Sequence, residues 1–393
     1  MEQSVENVRR FRLYTQHLDA WRTEKTIPEI VGACGMQNTP PGAWETAMFQ
    51  RVPGCNLAEL QALLYREKSL LQAWSFRGAP VVFPAAQSNA FLSALIPQRG
   101  EEWIYTHGIA GALDFLQMSF DEVFDKLREV IPRLDGKTVE SKTALDQILA
   151  QWMLPLLPAA KRDLWNAPSM YGAPDKQTMG GAAVSFLLRP CACLGLVVFG
   201  ARGGSPTFTS YQGWLGQALK PAANAPDMLV RKFLHCYGPA TVDAFAAWLG
   251  CSGKQAKRMW NAVLEELEPV KIDGKEAFLL SEDRKLLASP PAPQREWHLL
   301  GGHDPYLDQR DRQILVQDKA RQRQVWQTVS NPGAVLHRGE IVGVWTGKKS
   351  DAGMTIRITL WKEDPEAVPA LRALAEEYAA FRGQKLLKVR YCP

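Results

Sequence analysis

The sequence predicts an α-rich α+β chain of tandem helical modules, each closed by a β-hairpin, with a β-containing domain at the C-terminal end. Three observations carry this reading. The first is the element order in 226–287, which is that of a winged helix. An apolar helix holding Leu229, Val230, Phe233, Leu234 and Tyr237 stops at Gly238-Pro239. A second short helix spaces Val242, Phe245, Ala246 and Leu249 at helical intervals. After a turn at Gly250-Cys251-Ser252-Gly253, a third helix buries Ala256, Trp260, Val263, Leu264 and Leu267. Lys254, Lys257, Arg258 and Asn261 lie three and four residues apart and share its other face. Two strand-like runs then flank Asp273-Gly274, a hairpin turn signal. The second observation is that helices followed by a hairpin recur upstream, which predicts three such modules in tandem. The third is a change of composition after Leu287, where Ser289-Pro290-Pro291-Ala292-Pro293 forms a stiff connector.

The elements follow in order. Residues 5–18 read as a helix with Val5, Val8, Phe11, Leu13 and Leu18 inward, and 27–36 as a second one ending near Gly35. Pro40-Pro41 opens a third helix through Trp44, Met48 and Val52, since proline suits the first turn. Residues 57–71 read as helical, and 74–83 as a strand pair around Arg77-Gly78. The second module takes helices at 120–131, 143–154 and 178–188, then strands at 194–199 and 207–211 turned by Gly203-Gly204. In the tail, 335–336, 341–345 and 354–361 read as strands and 368–381 as the last helix. The expected division is 1–100, 101–220, 226–287 and 295–393.

Hydrophobic residues make up 46% of the 393, enough for ordinary packed cores and too many for a disordered chain. The formal charge of +5, from 46 basic and 41 acidic residues, permits nucleic-acid binding without requiring it. Basic clusters occur at Arg9-Arg10-Arg12, Lys254 to Arg258 and Lys348-Lys349. The seven cysteines are scattered and include no CxxC pair, which argues against a zinc ribbon and a disulfide scaffold. Reduced thiols in a cytoplasmic protein are expected. Arg189-Pro190 interrupts the most apolar stretch, 182–201, so no membrane span is expected. His298 and His303 with Asp304 fit no standard zinc spacing and read as a hydrogen-bonded turn. Trp44, Trp74, Trp165, Trp214, Trp260 and Trp345 read as core.

Four stretches together resemble the AlkZ/YcaQ-type winged-helix DNA glycosylases over nearly the whole chain. They are Gly35-Met36-Gln37-Asn38-Thr39, Phe76-Arg77-Gly78, Asp304-Pro305-Tyr306-Leu307 with Arg310 to Arg312, and Asn331-Pro332-Gly333 leading to Gly343-Val344-Trp345. The resemblance implies three winged helices around a concave DNA-binding face. It implies excision of bulky N-alkylated purines or unhooking of interstrand crosslinks, with double-stranded DNA as partner and no metal or organic cofactor. The family motif is Gln, an apolar residue, then Gln or Asp. Gln37 matches its first position, whereas Asn38 and Thr39 depart from the other two, and Val81 stands where many relatives carry histidine.

Breaking an N-glycosidic bond builds positive charge on the sugar, which an amide oxygen can stabilise while positioning a water. Alkylation at N7 or N3 makes the purine a cationic leaving group and lowers the demand for a general acid. Gln37 and Thr39 are therefore the candidate catalytic residues, with Glu45 and Asp304 the nearest carboxylates. Asn38, Arg77, Lys254, Lys257, Arg258, Asn261, Arg9, Arg10 and Arg12 are the candidate DNA contacts. Read without the resemblance, 37–41 is also what a helix-capping loop looks like. Two further functions stay open from the residues: a DNA-binding protein or regulator without catalysis, and a protein-interaction scaffold. A monomer is expected.

Overall fold

The computed structural model describes residues 2–172, 175–201, 203 and 205–392. Helix accounts for 48% and strand for 18%, so the fold is mixed and α-rich. The chain forms two compact units. One comprises residues up to Leu63, Val230–Trp248 and residues from Met259 onward; the other comprises Leu64–Leu229 and Leu249–Arg258.

The first unit is organised by a five-stranded sheet. Its order across the sheet is Leu386–Cys392, Gly353–Leu360, Glu340–Ser350, Gly333–His337 and Trp297–Leu300. Neighbours are antiparallel except the first pair, which is parallel and joined through the helix Ala367–Phe381. That helix lays Leu371, Ala375, Tyr378 and Ala379 on Leu299, Val335, Trp345, Ile356 and Ile358. The opposite face carries Leu300, Ala334, Leu336 and Ile341, packed with Leu13, Leu18, Tyr306 and Leu315. A smaller sheet pairs Leu267–Ile272 antiparallel with Lys275–Leu280, and Glu2–Gln3 lies parallel to the former. Its turn is Asp273-Gly274 with φ of 48° and 74°, the left-handed geometry that Asp-Gly favours. Helix Val5–Thr15 packs Val8 and Phe11 against Val270, Leu279 and Leu287 of this sheet region.

The second unit surrounds a core of helices Phe120–Val130, Lys142–Met153 and Met179–Cys193 with shorter neighbours. Ser119 and Glu122 form a capping box at the first of these, satisfying orphan N–H groups at its start. Gly180 packs directly on Trp165, where a Cβ would come within 2.2 Å of the indole. The hairpin Leu70–Trp74 with Pro80–Pro84 delivers Trp74, which stacks on Phe208 at 5.3 Å.

Several boundaries differ from the expected ones. Residues 57–71 are not one helix: Leu57–Gln61 passes into a π-helical turn at Ala62–Arg66, and Leu70 already begins a strand. The second expected helix stops at Gly32, and Met36–Gln37 is a short strand. Pro40 and Pro41 precede the helix Ala43–Phe49, whose N-cap is Gly42 at φ 97°. The strands expected at 194–199 and 207–211 shrink to Val198–Phe199 and Phe208–Thr209, and Gly204 of the turn lies outside the described residues. The apolar stretch 182–201 contains the end of helix Met179–Cys193; no helix among the described residues is long and apolar enough to cross a membrane. His298 lies in strand Trp297–Leu300 rather than in a turn.

Candidate active site

Residues 35–42 form a braced loop between two helices. Gly35, at φ 71°, turns the chain out of the helix Ile27–Gly32, and Met36 is buried beneath it. Asn38 is 6% exposed and its Oδ1 accepts from Gly42 N at 2.7 Å, which fixes the loop's closing turn. Arg382 braces the same turn from the C-terminal helix region. It donates to the Gly42 carbonyl at 2.7 Å and to Glu45 Oε2 at 2.6 Å. Gln37 is partly exposed and Thr39 exposed. Of the three motif residues, Gln37 and Thr39 reach solvent, while Asn38 is buried and serves the loop itself.

Gln37 Nε2 lies 3.1 Å from His303 Nδ1. His303 sits beside Asp304, whose carboxylate takes two 2.8 Å hydrogen bonds from Arg51. Both members of that ion pair are buried. Arg51 also donates to the carbonyls of Gln16 at 2.9 Å and Ala47 at 2.8 Å. Burial opposes the Arg51 charge, but the adjacent Asp304 carboxylate more than restores it and holds the pKa above the ordinary arginine value. Asp304 also accepts from Tyr306 N at 2.9 Å, so the turn bearing His303 is tied down on both sides.

This geometry removes the two carboxylates from the chemistry. Asp304 has no exposed side-chain surface and is spent on Arg51; Glu45 is 7% exposed and spent on Arg382. Neither is available as a base for a water at the partly exposed Gln37 amide. The group brought to Gln37 is instead His303, which is 266 residues away in sequence. Local pattern gives no signal for such a pairing. The only sequence cue is that His303 adjoins Asp304 in one of the short motifs.

The candidate DNA contacts fall into two classes. Arg12 is 1% exposed and holds Asp311 at 2.8 and 2.9 Å together with the Gly238 and Pro239 carbonyls. Arg9 is paired with Glu340 at 2.9 Å, and Arg10 reaches the Pro291 carbonyl at 3.3 Å. Arg12 is therefore a structural cation rather than a phosphate ligand, because a charge buried in a bidentate pair has no path to DNA. On helix Gly253–Asn261, Arg258 is bidentate to Glu101 at 2.7 and 2.8 Å. Lys257 and Asn261 are exposed, and Lys254 is exposed while touching the carbonyls of Arg99 and Gly100 at 3.3 Å. Arg77 adopts φ 55° and lies over the Phe76 ring at 5.1 Å. Of the tryptophans, Trp44, Trp74, Trp165, Trp260 and Trp345 are buried, and Trp214 is covered by Lys68 at 4.4 Å. Among the described residues, no group of three His, Cys, Asp or Glu is placed to hold a metal ion.

Residues 30–382 match the family of DNA glycosylases described as AlkZ-like. The chain belongs to the AlkZ-like DNA glycosylase family. It is 26% identical over 369 residues, 88% of each chain, to a Streptomyces sahachiroi protein described as an interstrand DNA cross-link repair glycosylase. The solved structure of Streptomyces sahachiroi DNA glycosylase AlkZ superposes with a TM-score of 0.76 at 21% identity, covering 100% of both chains. The whole chain therefore shares that fold.

Proposed function

We propose that this protein is a monofunctional DNA glycosylase that hydrolyses the N-glycosidic bond of bulky N-alkylated purines, including those in interstrand crosslinks. The observation that carries the reading is the Gln37–His303 pair on a loop held by buried ion pairs, in a chain of this family. Alkylation at N7 or N3 leaves the purine cationic, so departure needs no proton from the enzyme. What remains is to support positive charge on the sugar and to orient a water, which a polar group held rigidly in place can do. The Gln37 NH2 donates to His303 Nδ1, and the amide oxygen is the acceptor the reading assigns to a water at the sugar. Thr39, exposed two residues on, adds a hydroxyl that can hold the same water.

The substrate is double-stranded DNA. The order of helices Ala225–Tyr237, Val242–Leu249 and Gly253–Asn261, then strands Leu267–Ile272 and Lys275–Leu280, supports a winged helix at 226–287. We extend that reading to two further modules, at 1–100 and 101–220, with a C-terminal domain at 295–393. Lys254, Lys257 and Asn261 are its exposed candidate groove or phosphate contacts, and Arg77 a further one. The test is incubation with a duplex carrying an N7-alkylated guanine. Free alkylated base and an alkali-labile abasic site are expected. Tight binding of that duplex with no base released by any N7 or N3 adduct would overturn the reading.

A further inference from the structure

We propose that the free end of the five-stranded sheet is a second, sequence-independent contact for the DNA backbone, built by Lys348, Arg357, Lys388 and Arg390. The inference rests on the glycosylase reading only in taking DNA as the polyanion. The register puts these residues together. Thr346 lies opposite Arg357, and Arg357 opposite Arg390; Lys348 lies opposite Thr355, and Thr355 opposite Lys388. Directly opposed residues share a face, and so do residues two apart along a strand. All six side chains therefore project from one face of three adjacent strands. The other face is closed by Ile356, Ile358 and Val389 under the helix Ala367–Phe381. Strand spacing of about 4.8 Å and a rise of about 6.8 Å per two residues bring these side chains into one compact patch.

The four cations are exposed. None forms an ion pair among the described residues, unlike Arg9, Arg12, Arg51, Arg258 and Arg382. Arg357 and Arg390 stand directly opposite each other, an arrangement that destabilises a sheet. Such repulsion is relieved when a polyanion lies across it. The composition fits phosphodiesters: cations interleaved with the hydroxyls of Thr346 and Thr355, both of which can hydrogen-bond phosphate oxygens. The groups this face projects are cations and hydroxyls, which fit a polyanion.

The test compares the wild-type protein with the variant Lys348→Ala, Arg357→Ala, Lys388→Ala, Arg390→Ala. Binding of a fluorescein-labelled duplex without lesions is measured by anisotropy from 50 to 300 mM salt. Removing four phosphate contacts should flatten the plot of log affinity against log salt by about 3.6 and weaken binding at least tenfold at the low-salt end. Single-turnover base release at saturating enzyme should stay unchanged, since none of the four lies at Gln37. Arg390→Thr alone serves as a control for folding and should raise the melting temperature by removing the opposed charge. An unchanged salt slope would overturn the proposal, as would loss of binding to phosphatidylglycerol vesicles with DNA binding intact. Absence of base release from the wild-type protein, with the flattened slope present, would instead count against the glycosylase reading and leave the patch standing.

Discussion

Gln37 is useful only if its amide points one way, and its neighbours decide that. Truncation by Gln37→Ala removes the oxygen and should lower base release at least tenfold, or about 1.4 kcal/mol of barrier, in a single-turnover assay. His303→Ala leaves the amide in place without this hydrogen bond. One lost neutral hydrogen bond is worth about 0.5–1.5 kcal/mol, so the expected loss is roughly two- to thirteenfold. It should fall on the single-turnover rate and leave DNA affinity unchanged; His303→Asn, which keeps a ring-less acceptor, should recover part of it. A drop in affinity with an unchanged rate would show that His303 only shapes the surface. Asp304→Asn acts on the support instead. It strands the Arg51 charge with no carboxylate in a buried site, which should cost about 3–5 kcal/mol of stability in urea unfolding. A loss within 1 kcal/mol would mean that water reaches Arg51.

Elements with a strong local signal were legible in the sequence, and elements fixed by distant contacts were not. The Asp273-Gly274 hairpin and the helices 120–130 and 367–381 follow from turn chemistry and apolar spacing. The terminal strand Leu386–Cys392 carries Lys388 and Arg390 on its outward face, and on the other only Val389 is half-buried while Leu387 and Tyr391 are exposed, so its pattern is that of a solvated tail. It is a strand because Gly353–Leu360 offers it an edge. Likewise the apolar run after Leu57 reads as helix, yet Leu70 and Leu71 leave it to pair with Pro84 and Phe83. The pairing of Gln37 with His303 had no local signal in the sequence, nor had the consumption of Arg12 and Arg258 by Asp311 and Glu101. Glycine choice at Gly180 is an element-level constraint with a testable sign. Alanine gains about 0.5–1 kcal/mol of helix preference over glycine. Its Cβ would collide with the Trp165 ring, and Trp165 is held by a 3.0 Å bond to the Ala150 carbonyl. Overpacking of this kind costs about 1–3 kcal/mol. Gly180→Ala should therefore destabilise the second unit in urea unfolding; a stabilised protein would mean that the indole can shift.

At the scale of the whole molecule, acid should undo the support beneath the site before it affects most carboxylates. His17 and His298 are both buried. Burial, then Lys25, Arg51 and Arg22, lower the His17 pKa from 6.5 to about 3. Burial, then Arg295, holds His298 well below its ordinary value. His298 Nε2 donates to the Leu18 carbonyl at 2.8 Å, and Nδ1 of each ring has no hydrogen-bond partner among the described residues, so a second proton would be an unpaired buried charge. The folded state thus binds fewer protons than the unfolded chain. The stability these rings contribute is fully present above pH 6.5 and is lost as pH falls from there towards the lowered folded values. From pH 7.5 to 5.5 the loss is about 1.4 kcal/mol for each histidine. Asp19 and Asp146, raised mainly by burial, work in the opposite sense, and do so as pH approaches the carboxylate range. Segment 16–19 is the shared anchor: Gln16 O receives Arg51, and Leu18 O receives His298. Loosening it releases Arg51 and, through Asp304, the turn that carries His303. Urea midpoints should therefore fall between pH 7.5 and 5.5, with base release declining over the same range. The double variant His17→Asn, His298→Gln keeps an acceptable residue at the φ of 59° and a donor to Leu18, and should lose most of that pH dependence. An equally steep fall in the double variant would assign the acid sensitivity to other groups.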